Sequence, residues 1–159
     1  MDVKFIKPFF DATVKVFETM VQTKVVPSQP RYKESMESSG DISAVVSMIG
    51  PEICGTFVLS FNNDVFVKVI SKMFQEEIKA VTPEYLDAAA ELTNMIYGNA
   101  KKDIIEQKIA ILDKAIPTVV SGKGHFIKYQ NGESKIFVVP FKSDLGEFQI
   151  ELCRQQALK

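Results

Sequence analysis

Apolar residues at Phe5, Ile6, Phe9, Phe10, Val14, Phe17 and Val21 recur at three- and four-residue steps. That spacing predicts a helix over Val3–Thr23, with Pro8 marking a kink or a late start. Pro27 and Pro30 limit Val25–Glu34 to an edge strand, because proline cannot donate to a sheet ladder. Ile42–Ile49 and Ile53–Phe61 are β-branched and apolar, and Gly50-Pro51-Glu52 between them reads as a turn. Asn62-Asn63-Asp64 supplies N-caps for a helix through Phe74, whose inner face is Val65, Val69, Ile70 and Met73. Thr82 as N-cap and Pro83 in the first turn open a long helix that runs to about Ile111. Thr118-Val119-Val120, His125–Tyr129, Lys135–Phe141 and Glu147–Arg154 then alternate like antiparallel strands, with Asn131-Gly132 as a hairpin turn. Helix, strands, helices and strands in that order predict an α+β fold, an antiparallel sheet with long helices packed on one face. No composition shift divides the chain, so a single domain over residues 1–159 is expected.

Composition narrows the chemistry. A net charge of −1 gives no basic footprint for nucleic acid. No apolar run approaches the ~18 residues of a membrane span, and the charged N-terminal stretch is no signal peptide, so a cytoplasmic protein without membrane insertion is expected. Cys54 and Cys153 sit singly in apolar runs and read as core thiols, not as a metal site or disulfide framework. His125 is the only histidine, and no nucleophile elbow accompanies it. It reads as a surface or strand-end residue. There is no P-loop, no G-x-G-x-x-G and no C-x-x-C.

The long helix carries the one unusual pattern. At about 100° per residue, Asp87, Glu91, Asn94 and Gly98 fall within roughly 60° of one another. Ala88, Leu92, Met95 and Ile96 fall opposite, on the side that should meet the sheet. Asn99 falls on that apolar side and is expected to be buried and hydrogen-bonded. An interior glycine costs a helix about 1 kcal/mol relative to alanine. Gly98 keeps the surface low, so that another chain can come close. Taken alone, the stripe reads as an ordinary solvated face before it reads as a contact surface.

The fuller spacing Asp87-x3-Glu91-x2-Asn94-x22-Pro117 resembles the signature of the CheC/CheX/FliY phosphatases of bacterial and archaeal chemotaxis. Tyr85-Leu86-Asp87 before it, Met95-Ile96-Tyr97-Gly98-Asn99-Ala100 within it and Thr118-Val119-Val120-Ser121-Gly122 after it extend the likeness. Members of the CheC type carry a second copy of the motif. Here the first helix offers Asp11, Lys15 and Glu18 in the three places, so the second copy is absent and the resemblance is closer to CheX.

The resemblance implies a CheC-like (CheX) fold and a protein phosphatase that hydrolyses the aspartyl phosphate of a CheY-like receiver domain. It implies that Asn94 orients the attacking water and that Glu91 pairs with the receiver's lysine, with Asp87 and Gly98 as binding positions. Pro117 is expected to be structural, shaping the entry to the next strand. It further implies a homodimer, no metal or cofactor held by this chain, and Mg2+ carried by the receiver. The alternative is a receiver-binding or flagellar-switch-type module of the same fold without catalysis.

Overall fold

The computed structural model describes residues 1–33, 37–38, 40–129 and 135–156. The expected Asn131-Gly132 turn lies outside them. Helix α1 spans Val3–Val16 and opens on Asp2, whose side chain accepts from the backbone N–H of Lys4. Pro8 lies inside the helix and is buried, so it marks neither a late start nor a stop. The last part of the expected helix, Phe17–Val21, widens into a π-helical turn closed by Gln22 in the left-handed region.

Strands β1 (Val26–Pro27) and β2 (Arg31–Lys33) are the two fragments of the proline-bearing edge. The long hairpin β3 (Ile42–Gly50) and β4 (Ile53–Phe61) leads into α2 (Asn63–Phe74) and then α3 (Pro83–Glu106). Strands β5 (Thr118–Ser121), β6 (Ile136–Ser143) and β7 (Gly146–Gln156) follow. Among the described residues the sheet runs β1-β6-β7-β4-β3-β5, with β2 also on the outer edge of β6, and every pairing is antiparallel.

Register decides what each face carries, because side chains alternate along a strand. Val46, Phe57 and Leu152 line up across three strands, as do Ala44, Leu59, Ile150 and Val139. All of these are fully buried and belong to the main core beneath the helices. Rings dominate that core. Phe17 stacks on Phe148 at 4.3 Å between centroids, Phe148 on Phe141 at 5.4 Å, and Phe9 meets Phe57 at 5.1 Å. On α2, Val69 and Ile70 are buried as expected, Val65 and Met73 pack at the margin, and Phe66 joins the inner face beside Phe61.

Two expectations need correction. His125–Tyr129 is not a strand; it makes a single bridge, Phe126 to Glu37. Its alternation is satisfied by lying over the sheet instead of along an edge. Ile127 and Tyr129 are buried against Val58, Val138 and Cys153 on the face away from the helices. On the same face Glu151, fully buried, takes the Lys33 ammonium at 2.6 Å, Gln149 Nε2 at 2.8 Å and the Tyr129 hydroxyl. The long helix also ends at Glu106, not near Ile111, because Lys108 turns left-handed with φ 56°.

The connector after α3 is pinned to the end of the β3–β4 hairpin. Asp113 N–H donates to the Ile49 carbonyl at 2.7 Å, and Gly50 lies directly under the Ile111 backbone. A Cβ on Gly50 would stand 1.9 Å from the Ile111 carbonyl oxygen, so only glycine lets the two backbones approach.

Candidate active site

Helix α3 sets the site because it is rigid and held on one side only. Ala88, Ala89, Leu92, Thr93, Ile96, Tyr97, Ala100 and Ile104 are buried against α1 and the sheet. The buried Thr93 hydroxyl is satisfied by the Ala89 carbonyl at 2.7 Å. Thr82 occupies the N-cap position but makes no side-chain capping bond, and Pro83 stands at the start. The buried side therefore fixes which way the rest of the helix points.

The opposite side carries the predicted stripe. Asp87, Glu91, Asn94 and Gly98 are all exposed. Among the described residues, the side chains of Asp87, Glu91 and Asn94 make no hydrogen bond or ion pair, so their polar atoms face water unengaged. Nothing lies within 4 Å of where a Cβ on Gly98 would stand. Asn99 is half-buried, and its amide donates to the Met95 carbonyl at 2.9 Å. It is hydrogen-bonded as its position required, although less deeply sunk. Pro117 is half-buried and directly precedes β5, where its restricted φ suits an extended entry.

Beside Asn94 and Gly98 a shallow groove of about 320 Å³ opens, lined also by Tyr97, Lys101, Lys102, Lys114 and Ala115. Its far wall is the connector, and Tyr97 ties that wall to the helix. The Tyr97 hydroxyl donates to the Asp113 carbonyl at 2.8 Å. Burial, with the Asp113 charge adding to it, pushes the Tyr97 hydroxyl up to about 12, so it stays a neutral donor at any ordinary pH. Among the described residues no group of three or more His, Cys, Asp or Glu side chains is placed to hold a metal ion, and no helix is long and apolar enough to cross a membrane.

His125 lies away from this face. Its Nε2 meets the Ser43 hydroxyl at 2.8 Å and its Nδ1 the Gly122 carbonyl at 2.7 Å. Ser43 is fully buried and bonded on to Ser60, so this is a packing arrangement, not an exposed nucleophile. Cys153 is buried and Cys54 half-buried, and neither is in a disulfide.

The family model described as chemotaxis phosphatase CheX matches residues 42–142, well over half of the 159. The chain belongs to the CheX family. A CheC-like superfamily protein from Shewanella sp. PV-4 is 34% identical, with 98% of this chain and 99% of that one covered and a TM-score of 0.88. The chemotaxis protein CheX from Vibrio vulnificus is 32% identical over 96% of this chain and 100% of its own, with a TM-score of 0.85. CheX in the CheX–CheY–BeF3–Mg2+ complex from Borrelia burgdorferi shares the fold at 23% identity, with 95% and 97% covered and a TM-score of 0.77. A comparison with curated proteins returns no match.

The CheX match takes in all of α3, the connector and β5, the segments that carry Asp87, Glu91, Asn94, Gly98 and Pro117. Of these, the first four share one exposed face, while Pro117 stands on the connector and supports its course into β5. The lysines of the groove were not singled out by the sequence. Lys101 continues the helical spacing of the stripe and could have been found that way; Lys114, on the connector, had no local signal.

Proposed function

We propose that this CheX-family chain is an aspartyl-phosphate phosphatase acting on a CheY-like receiver domain, with Glu91 and Asn94 as its working residues. The observation that carries the reading is the exposed, unengaged pair on one face of a helix whose other face is locked in the core. A rigid element holds a catalytic group in place better than a loop does. The family's description as a chemotaxis phosphatase and the CheX–CheY complex of a relative support the same substrate.

An acyl phosphate already has a good leaving group, so the catalyst need only hold water in line with phosphorus and settle the transferring group. Asn94 has both an acceptor oxygen and donor N–H groups on its amide, which suits it to orient a water. It is a poor base and takes no proton. Glu91 stands one turn before it and supplies a negative charge for the receiver's lysine, which fixes the docking register. Mg2+, which shields the phosphoryl oxygens, comes with the receiver; the relative's complex contains it together with CheY. Asp87 extends the acidic end of the docking face, and Gly98 leaves room for the receiver's backbone. Pro117 has a structural part only. The reading includes a single phosphatase domain over residues 1–159, cytoplasmic action and a homodimer, the last checked by sedimentation.

The test is phosphate release from a molar excess of acetyl-phosphate-treated receivers from the same organism. A catalyst frees many phosphates per chain; a binder without catalysis frees none beyond the receiver's own rate. Glu91→Lys is expected to weaken receiver binding at least about tenfold while the fold stays intact, since the pairing becomes a repulsion. Unchanged affinity in a titration would remove the lysine pairing. Gly98→Ala is expected to move two properties in opposite directions. The free chain gains up to about 1 kcal/mol from helix propensity, because the methyl meets nothing. Receiver binding falls, because the methyl stands where the partner must approach. A variant that is stabilised and binds normally would show that this position is not in close contact.

A further inference from the structure

We infer that Lys101, Lys102 and Lys114 form a second, basic docking element that seats an acidic surface of the receiver beside its phosphorylated aspartate, and so sets the direction in which the receiver lies along α3. This rests on the phosphatase reading and adds to it. The three lysines line one groove from two separate segments, the helix and the connector. Among the described residues Lys101 and Lys114 make no ion pair, and Lys102 has only an exposed contact with Glu106 at 3.9 Å, of little energetic weight.

Helix electrostatics do not account for them. Cations favour the last turn of a helix, yet the last turn here carries Asp103 and Glu106 and no base. The lysines stand instead around the stripe, Lys101 within roughly 20° of Asn94 and Lys102 within roughly 80°. Going along α3, the exposed face therefore runs from carboxylates at Asp87 and Glu91, through the amide of Asn94 and the bare Gly98, to ammonium groups. The chain as a whole carries −1, so this order is a local arrangement and not a general excess of base.

The occupant follows from shared walls. Asn94 and Gly98 line the same groove as the lysines. Lys101 is two turns, about 10 Å along the axis, from Asn94. Any receiver that brings its phosphoaspartate to Asn94 therefore lies within about one Debye length of the ammonium cluster. A receiver's phosphorylation site carries the dianionic phosphoryl group beside the carboxylates that hold its Mg2+, so it stays anionic with the ion counted. With the receiver's lysine at Glu91 and its acidic surface at the groove, both ends attract; turned end for end, both would repel. Such paired attraction and repulsion is how charged surfaces select one orientation.

The experiment measures steady-state kinetics on acetyl-phosphate-treated CheY for the full chain, with Lys101→Glu/Lys114→Glu as the variant and Lys128→Glu, on the far side of the sheet, as control. The double reversal is expected to raise KM roughly tenfold at low salt with kcat nearly unchanged, and the difference should shrink at high salt. Folding is checked by melting temperature, and the charge-neutral Lys101→Gln/Lys114→Gln should fall between the two. A KM and salt dependence equal to the control's would overturn the inference while leaving the phosphatase reading in place. Loss of inhibition by inorganic phosphate, with KM unmoved, would assign the lysines to the product and overturn it too. A wild-type chain that neither binds nor turns over any receiver would overturn the phosphatase reading, and this inference with it.

Discussion

Asn94→Ala is expected to lower receiver dephosphorylation by about a hundredfold or more while leaving the melting temperature unchanged or slightly raised. The rate loss follows from the chemistry. Misplacing the attacking water by about 1 Å is enough to cost two orders of magnitude, and alanine holds no water at all. The stability sign follows from the environment. Asn94 is exposed and bonded to none of the described residues, so no contact is lost, and alanine is the better helix former by a few tenths of a kcal/mol. The two readouts together separate a positioning residue from a structural one, since a residue needed for folding would lose both. Stimulated turnover equal to wild type would take Asn94 out of the mechanism. Receiver binding by the variant should persist, because Glu91 remains.

Phe17→Ala should have the opposite profile, with a loss of about 3–5 kcal/mol in stability and no direct effect at the exposed face of α3. Phe17 is 1% exposed, stacks on Phe148 with planes 9° apart and also meets Phe61. Its removal leaves a cavity between helix and sheet that the neighbouring rings cannot fill. For a chain of this length the melting midpoint should fall by on the order of 10 °C. Urea denaturation reads the loss directly. A change below about 1 kcal/mol would mean that the ring cluster repacks freely and does not fix where α1 and α3 lie on the sheet.

The exposed stripe of α3 was readable because a helix converts spacing into direction. Once Ala88, Leu92 and Ile96 are assigned to the core, Asp87, Glu91, Asn94 and Gly98 can only point away, and they do. The β3–β4 hairpin was equally readable, since both strands are apolar on the side that meets the helices. His125–Tyr129 misled because alternation reports one buried face and says nothing about pairing; a segment laid over a sheet alternates as well as one within it. The end of α3 was hidden because Ile109 and Ile111 prolong the apolar period, while the break comes from Lys108, whose left-handed backbone no glycine announced. The π-helical turn after Val16 carries neither glycine nor proline to mark it. Lys114 joins the site only through the Asp113–Ile49 and Tyr97–Asp113 hydrogen bonds, contacts between segments that no local pattern encodes.

That last arrangement bears on how such proteins diverge. One bank of the groove is a helical surface whose inner half is fully committed to the core; the other is a short tether moored to a hairpin tip. On the proposed reading, lengthening, shortening or recharging the tether between Gln107 and Pro117 would remodel whom the protein greets, yet would leave the Asn94 amide untouched. Paralogues within one cell could thus share a single chemistry and still divide their clients among them.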